Sequence, residues 1–261
     1  MALQCVILAG GLGTRLRPLT EVVPKALIPV LGVPFADWQL SLLAEQGVSR
    51  VLYCVGYRGD MLRDHVGDGS RFGLAVRWSD DGPTLRGTAG AVRLALDRGE
   101  LDEAFFVLYG DSYLPANVAE VEAAWRRSGA PALMTVLRNE ERWDRSNCIY
   151  RDGRVVLYDK SRPEDRSAEM RWIDYGLSVF ARTALAERVP PGAAADLADV
   201  QRDLSLAGQL AGLEVAERFY EAGSAEGLRD LEAHLSMPPR GGGGRSGGRR
   251  GGRSEGSGPS S

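Results

Sequence analysis

Histidine and cysteine are scarce in this sequence of 261 residues, which contains only two histidines and three cysteines. Two isolated histidines, His65 and His234, are too few to indicate a histidine metal site. The cysteines, Cys5, Cys54 and Cys148, are odd in number and form no CxxC pair. The composition therefore predicts neither a zinc site nor a redox role, and it favours small, reduced core residues.

Long hydrophobic runs and a secretion signal are also missing. No apolar stretch reaches the roughly 20 residues that a membrane-spanning helix needs. Met1 to Gly10 lacks the basic start and the cleavage site of a signal peptide. We therefore expect a cytoplasmic protein without a membrane partner. A Ser/His/Asp hydrolase has no support either, because no GxSxG motif occurs.

Charge is unevenly distributed along the chain. The formal net charge is −3, but residues 240–261 carry five arginines against one acid, so the residues before them carry −7. The stretch that begins at Pro238 is rich in glycine, arginine and serine and has no aliphatic or aromatic residue, which predicts a disordered tail over residues 238–261. An Arg/Gly tail can bind RNA, but no aromatic residues are interleaved for base stacking, and the acidic remainder argues against a nucleic-acid partner.

Apolar runs alternate with helical segments through the first half of the chain. The runs LQCVILAG, VLYCVG, LAVRW, AFFVLYG and ALMTVL predict buried strands. Helices are predicted over 37–46, 61–66, 88–96 and 117–127, with Asp37 and Asn117 as N-caps and Gly47 and Gly129 as stops. This order predicts an α/β fold with a doubly wound, mostly parallel sheet.

The second half predicts a β-hairpin around Asp152-Gly153, a strand in RWIDYGLSVFA and a helix over 196–207. A strand in GLEVAE and a last helix over 225–235 follow. We expect these later strands to close over the mouth of the sheet. Residues 1–237 should therefore form one domain.

Three glycines and two cations stand out in the stretch LAGGLGTRLRPLTEVVPKALIPV, which begins at Leu8 behind the first strand. Glycines at this place let the backbone approach an anion closely. The GxGxxG form would need glycine where Leu16 stands, and the GK[ST] of a P-loop is absent. Arg15 and Lys25, which stand close to rigid prolines, instead suit adjacent phosphates of a polyphosphate.

The stretch LAGGLGTRLRPLTEVVPKALIPVLGVPF resembles the sequence pattern of sugar-1-phosphate nucleotidyltransferases, which join a nucleoside triphosphate to a sugar 1-phosphate and release pyrophosphate. The resemblance continues through GTAG, YGDS, YDK, DYGL and YEAGS and covers about residues 3–235. It is strongest to short single-domain enzymes that use heptose 1-phosphate with GTP or N-acetylmuramate 1-phosphate with UTP. The family fold that it implies is Rossmann-like.

The resemblance also implies roles for individual residues. It gives Arg15, Lys25 and Asp111 catalytic roles, and it makes a nucleoside triphosphate and a sugar 1-phosphate the partners. The nucleotide is expected on Leu8, Ala9, Gly10, Gly11, Gly13, Thr14, Gly87 and Thr88. The sugar phosphate is expected on Asn147, Asp159, Lys160 and Asp174.

A magnesium ion is the cofactor that the resemblance implies, with Asp111 and Glu221 as its carboxylate ligands. Many relatives have an aspartate in a W-x-D-x-G segment where this sequence has Glu221 in FYEAGS. Glutamate also offers oxygen to Mg²⁺, with a longer arm. The reaction needs no protein nucleophile, because in-line positioning and charge neutralisation suffice.

Two other functions remain open at this point. One is a regulatory subunit that binds nucleotide but has lost turnover, for which Glu221 is the only supporting feature because Arg15, Lys25 and Asp111 are present. The other is an RNA-binding protein that uses its Arg/Gly tail, which predicts RNA affinity that depends on salt and on residues 238–261. Neither the base, the sugar nor the oligomeric state follows from the sequence.

Overall fold

The structure is a computed structural model that describes residues 2–11, 13–82 and 84–237. The side chain of Arg15 lies outside the described part, and so does the predicted tail over 238–261. Among the described residues, no helix is long and apolar enough to cross a bilayer.

Strands and helices alternate through the described residues. The strands are β1 (Gln4–Ala9), β2 (Pro29–Val30), β3 (Val33–Pro34), β4 (Arg50–Val55), β5 (Ala75–Asp80), β6 (Ala104–Tyr109), β7 (Ser112–Tyr113), β8 (Ala132–Arg138), β9 (Cys148–Arg151), β10 (Arg154–Tyr158), β11 (Trp172–Ala181), β12 (Leu210–Val215) and β13 (Tyr220–Glu221). The helices are α1 (Phe35–Glu45), α2 (Gly59–Val66), α3 (Gly87–Asp97), α4 (Val118–Ser128), α5 (Glu164–Ser167), α6 (Arg182–Ala186), α7 (Leu197–Leu206) and α8 (Ala225–Leu235).

One nine-stranded sheet organises the chain, in the order β5-β4-β1-β6-β11-β8-β12-β10-β9. The first four strands in this order are parallel to one another, as are β8 and β12, whereas β11 and β10 run antiparallel to their neighbours. The predicted α/β fold is confirmed, with the correction that the sheet is mixed.

Helices cover both faces of this sheet, as the doubly wound prediction requires. Along β1, Cys5 and Ile7 join a core cluster that includes residues of α1, α2 and α4. Val6 and Leu8 point the other way, into a cluster that includes residues of α3, α6 and α7. Because both faces of the strand are buried, its sequence is apolar from Cys5 to Ala9 instead of alternating.

The predicted helix ends are confirmed at three of four positions. The side chain of Asn117 caps α4 by accepting a hydrogen bond from Glu120 N at 3.2 Å, and Gly129 and Gly47 take left-handed φ values of 63° and 82° at helix ends. The N-cap prediction for Asp37 is wrong: α1 begins two residues earlier, directly after Pro34. The carboxylate of Asp37 instead accepts a hydrogen bond from Arg71 at 2.8 Å.

The later strands lie differently from our expectation. They extend the sheet and do not close over its mouth: β11 inserts antiparallel between β6 and β8, and the hairpin β9-β10 forms the far edge. The predicted turn is confirmed, with φ values of 49° at Asp152 and 76° at Gly153. Only the short ribbon of β7 and β13 lies beside the loop that follows β6.

Candidate active site

A cavity of about 860 Å³ opens where β1, β4, β5 and β6 end. In an open α/β sheet, ligands bind at the carboxyl ends of the parallel strands, and this cavity lies there. Ten residues that the sequence assigned to nucleotide binding or catalysis line it: Leu8, Ala9, Gly10, Gly11, Gly13, Thr14, Lys25, Gly87, Thr88 and Asp111. The structure thus brings together segments that are up to about a hundred residues apart in the chain.

Close contacts with neighbouring residues fix the conformation of the glycine loop after β1. A methyl group on Gly10 would lie 3.4 Å from the main-chain nitrogen of Gly56. Gly13 has a φ of 61°, and a methyl group there would lie 2.7 Å from Cγ2 of Thr20. Buried Thr20 donates its hydroxyl hydrogen to the carbonyl of Gly13 at 2.8 Å. These contacts fix a loop of exposed backbone, which suits an anionic ligand.

Lys25 and Asp111 form an ion pair on the cavity wall, with side chains 20% and 19% exposed. Asp111 follows β6 and is held from two sides. Buried Gln39 donates from Nε2 to the carbonyls of Tyr109 and Ser112, at 2.9 and 2.7 Å. On the other side, the carbonyl of Asp111 accepts a hydrogen bond from Ala222 N at 2.7 Å.

The GTAG turn packs tightly against the segment before α7. Gly87 has a φ of 68°, and a methyl group there would lie 2.4 Å from the carbonyl oxygen of Ala195. The hydroxyl of Thr88 donates to Asp196 at 3.0 Å and accepts from Leu197 N at 2.7 Å. Gly87 is therefore required by both conformation and space, and the hydroxyl of Thr88 anchors α7.

The four residues predicted for the sugar phosphate lie together where β9, β10 and β11 meet. Oδ1 of Asn147 accepts a hydrogen bond from Asp174 N at 2.9 Å, and Asp159 N donates to the carbonyl of Asn147 at 3.0 Å. Burial raises the pKa of the Asp174 carboxyl, an effect that nearby Lys160 opposes. None of these four residues lines the cavity of about 860 Å³.

The carboxylate of Asp159, like that of Asp174, already accepts hydrogen bonds within the protein. Its Oδ1 accepts hydrogen bonds from the hydroxyl of Ser161 at 2.6 Å and from Ser161 N at 2.8 Å, and its Oδ2 contacts Arg202 at 2.8 Å. A sugar hydroxyl at Asp159 would have to share these oxygens.

Tyr109 connects the two groups of residues. It lines the nucleotide cavity at the end of β6. Burial raises the pKa of its hydroxyl, and the carboxylates of Asp174, Asp196 and Asp111 raise it further. The hydroxyl itself is buried and has no hydrogen-bond partner in the described part of the chain. Tyr109 thus lies between the predicted nucleotide and sugar sites.

The two carboxylates predicted to bind metal differ in their surroundings. Asp111 lines the cavity, and a carboxylate is a ligand that Mg²⁺ accepts. Glu221 lies opposite Ser112 in the β7-β13 pairing, and its Oε1 accepts a hydrogen bond from the hydroxyl of Ser224 at 3.1 Å. Within residues 2–11, 13–82 and 84–237, no three acidic, histidine or cysteine side chains are grouped as a ligand set.

A model of the nucleotidyl transferase family matches residues 4–147, more than half of the chain. The chain belongs to that family. The chain is 26% identical over 207 residues to a UTP–glucose-1-phosphate uridylyltransferase of Synechocystis, covering 75% of this chain and 53% of the relative. It is 31% identical over 192 residues to a mannose-1-phosphate guanylyltransferase of Mycobacterium tuberculosis, covering 72% and 51%. The chain thus spans about half the length of these relatives.

The fold of the chain also agrees with a solved structure. HddC from Yersinia pseudotuberculosis, crystallised with GMP-PN, superposes with a TM-score of 0.71 at 21% identity, over 89% of this chain and 99% of that chain. The resemblance drawn from the motifs is therefore confirmed at the level of family and fold. The roles of individual residues stay predictions, Arg15 included.

The sequence did not single out three residues that shape this site. Thr20 holds the glycine loop and Gln39 holds the segment after β6 by hydrogen bonds, and Asp81 lies on the cavity wall. Thr20 and Gln39 are polar residues that are only 2% exposed, and no sequence pattern predicts their burial. Asp81, in Asp80-Asp81-Gly82, is indistinguishable from an ordinary turn residue at the level of sequence.

Proposed function

We propose that this chain transfers a nucleoside monophosphate from a nucleoside triphosphate to a sugar 1-phosphate and releases pyrophosphate. The observation that carries the proposal is the single cavity that gathers the glycine loop, the GTAG turn, Lys25 and Asp111. A cavity of about 860 Å³ is of the size that small-molecule and nucleotide ligands require.

Each part of the cavity has a role in this proposal. The backbone of Gly10, Gly11 and Gly13 holds the triphosphate, and Lys25 and Arg15 neutralise charge that develops on the leaving pyrophosphate. Asp111 keeps the Lys25 ammonium directed at the cavity through their ion pair. The sugar phosphate attacks the α-phosphorus from the side of Lys160 and Asp174, so that catalysis consists of positioning and charge neutralisation.

The surroundings of Asp111 fit a divalent cation, because its partly exposed carboxylate lies on the cavity wall and pairs with Lys25 through Oδ2 alone, so that its other oxygen could face a cation. Bound Mg²⁺ would neutralise charge on the α-phosphate. Glu221, whose Oε1 accepts a hydrogen bond from Ser224, could contribute a second carboxylate.

Pyrophosphate release tests the proposal. The purified chain is assayed with Mg²⁺ and ATP, CTP, GTP, UTP or dTTP, each against hexose, heptose and N-acetylmuramate 1-phosphates. We expect release that requires one nucleotide and one sugar phosphate together. Lys25→Ala and Asp111→Asn should each lower kcat by roughly a hundredfold or more. Near-normal kcat in either variant would contradict the assigned roles.

The proposal of a regulatory subunit predicts another result. A folded protein that binds nucleotide by calorimetry but releases no pyrophosphate with any pair would favour that function. The presence of Lys25 and Asp111 in one ion pair on the cavity wall supports turnover instead.

A further inference from the structure

Asp81 places a carboxylate on the wall of the nucleotide cavity, at the end of β5. Its main-chain nitrogen donates to the carbonyl of Val55 at 2.9 Å, which fixes it beside the end of β4. Its Oδ2 lies over the glycine loop, 3.2 Å from where a methyl group on Gly10 would be. The carboxylate therefore faces the first glycine of that loop.

This carboxylate lacks the hydrogen bonds that a buried acid usually has. Oδ1 is buried and has no hydrogen-bond partner in the part of the chain that the structure describes. Arg86 lies nearby, but its Nε donates to the main-chain carbonyl of Asp81 at 3.2 Å and not to the carboxylate. Burial raises the pKa of Asp81 to about 6, and the positive charge of Arg86 opposes this rise. The residue as a whole is half-buried and lines the cavity, and a carboxylate with an oxygen that lacks a donor suits a ligand that brings its own N–H groups.

The position of Asp81 determines which part of a nucleotide could supply those groups. Asp111 and Lys25 lie at the end of β6, and Asp81 at the end of β5, with β4 and β1 between them. Three strand spacings amount to roughly 14 Å along the sheet edge. The Asp81 carboxylate lies against Gly10, where a phosphate would meet like charge, so we place the triphosphate towards Gly13 and Lys25 and leave Asp81 for the base.

An ionised carboxylate offers two acceptor oxygens and no donor. Guanine is the base that presents two adjacent donors, N1–H and the 2-amino group, on its Watson–Crick edge. Uracil and thymine present one N–H between two carbonyls, while adenine and cytosine place a ring nitrogen acceptor beside their amino group. Each of those bases would bring a lone pair against the carboxylate, which costs affinity.

We propose that Asp81 selects guanine, by accepting hydrogen bonds from N1–H and the 2-amino group, and that GTP is the nucleotide substrate. This inference rests on the proposed function, since it assigns the base within the same cavity. Two parallel hydrogen bonds to one carboxylate give both energy and orientation.

The test compares nucleotide preference in the wild type, Asp81→Asn and a control, Asp80→Asn. An amide at residue 81 offers one acceptor and one donor, so it cannot accept from both N1–H and the 2-amino group of guanine, whereas it can pair with N3–H and a carbonyl of uracil. We expect the ratio of kcat/KM for GTP over UTP to fall by roughly a hundredfold in Asp81→Asn. The control removes the same charge from the exposed neighbour, whose Oδ1 accepts from Gly82 N at 2.8 Å, a bond that asparagine keeps. Its ratio should stay at the wild-type value.

Inosine triphosphate isolates the contribution of the 2-amino group, because it differs from GTP only by lacking that group. The wild type should prefer GTP to inosine triphosphate by about tenfold, and Asp81→Asn should lose most of that preference. A variant that had merely lost fold stability would lower both rates together and leave the ratio unchanged.

Calorimetry with GDP and UDP separates failure of this inference from failure of the proposed function. Tighter binding of GDP by the wild type, reduced in Asp81→Asn, supports guanine selection even where no sugar phosphate is turned over. Equal or better use of UTP or dTTP by the wild type, or ratios unchanged in Asp81→Asn, overturns the inference and leaves nucleotidyl transfer standing. No binding of any nucleotide to the folded protein overturns both.

Discussion

Asp81→Asn should make the protein more stable, and more so at alkaline pH. Burial raises the pKa of Asp81 from its ordinary value of 3.8 to about 6 in the folded state. Between these two values the folded state holds a proton that the unfolded state has lost. The free energy of unfolding of the wild type therefore falls as pH rises through this window, and above it the ionised carboxylate destabilises the fold.

The magnitude follows from the difference between the two pKa values. Each unit corresponds to about 1.4 kcal/mol, so the destabilisation at pH 8 has an upper bound of about 3 kcal/mol, which solvent screening of this half-buried carboxylate lowers. At pH 5 the corresponding upper bound is about 1.6 kcal/mol, because the folded carboxyl is then mostly protonated. The gain in stability from Asp81→Asn should therefore be larger at pH 8 than at pH 5, by at most about 1.4 kcal/mol.

Urea denaturation of the wild type and Asp81→Asn at both pH values measures this difference, provided that the slopes with urea agree. Titrating groups that do not interact with residue 81 contribute equally to both proteins and cancel. Asp80→Asn removes a charge that raises the pKa of Asp81, so it should shift the stability in the same direction by a smaller amount. A gain that is equal at the two pH values, or larger at pH 5, would refute the reasoning that the carboxylate is buried without a donor.

Two further predictions concern the residues that shape the cavity. Gly87→Ala should lower the free energy of unfolding by more than about 2 kcal/mol and abolish nucleotide binding, because the new methyl group clashes with the carbonyl of Ala195. Gly129→Ala, at a similar φ but with open space around it, should cost only about 1 kcal/mol in thermal denaturation, and equal effects would contradict this account. Gln39→Leu should cost about 2–4 kcal/mol and lower kcat, since the carbonyls of Tyr109 and Ser112 lose their donor. An unchanged kcat would show that Gln39 does not hold Asp111 in place.

The first half of the fold could be predicted because local and tertiary requirements agree there. Apolar runs such as AFFVLYG are buried on both faces of parallel strands, and Asn117 and Gly129 delimit α4 by short-range chemistry. The position of β11 could not be predicted, since its insertion between β6 and β8 depends on pairing with residues as distant in sequence as Ala104 is from Ala181. The start of α1 was misjudged because Pro34, and not the acidic Asp37, precedes the first turn.

The candidate site divides in the same way. The glycine loop and the motifs around Lys25 and Asp111 are continuous in sequence, so their residues could be named before the structure placed them in one cavity. Residues that hold these loops by hydrogen bonds to their main chain could not be predicted from the sequence. Thr20 and Gln39 matter because their polar atoms meet particular carbonyls, and only the folded chain creates those distances. Asp159 shows the converse, since a residue named from its motif has its carboxylate engaged by Ser161 and Arg202.

At residue 81, the stability of the fold and the proposed recognition of guanine favour different side chains. A protein selected for stability alone would gain from an uncharged residue at this position, because the buried Oδ1 has no partner among the described residues. Its neighbour Asp80 meets no such conflict, since its carboxylate is exposed and accepts a hydrogen bond from Gly82 N. Natural proteins violate local rules chiefly where a ligand completes the interaction. The stability experiment and the guanine experiment therefore examine one property from two sides: the same missing donor that weakens the empty fold is the one that N1–H and the 2-amino group of guanine would supply.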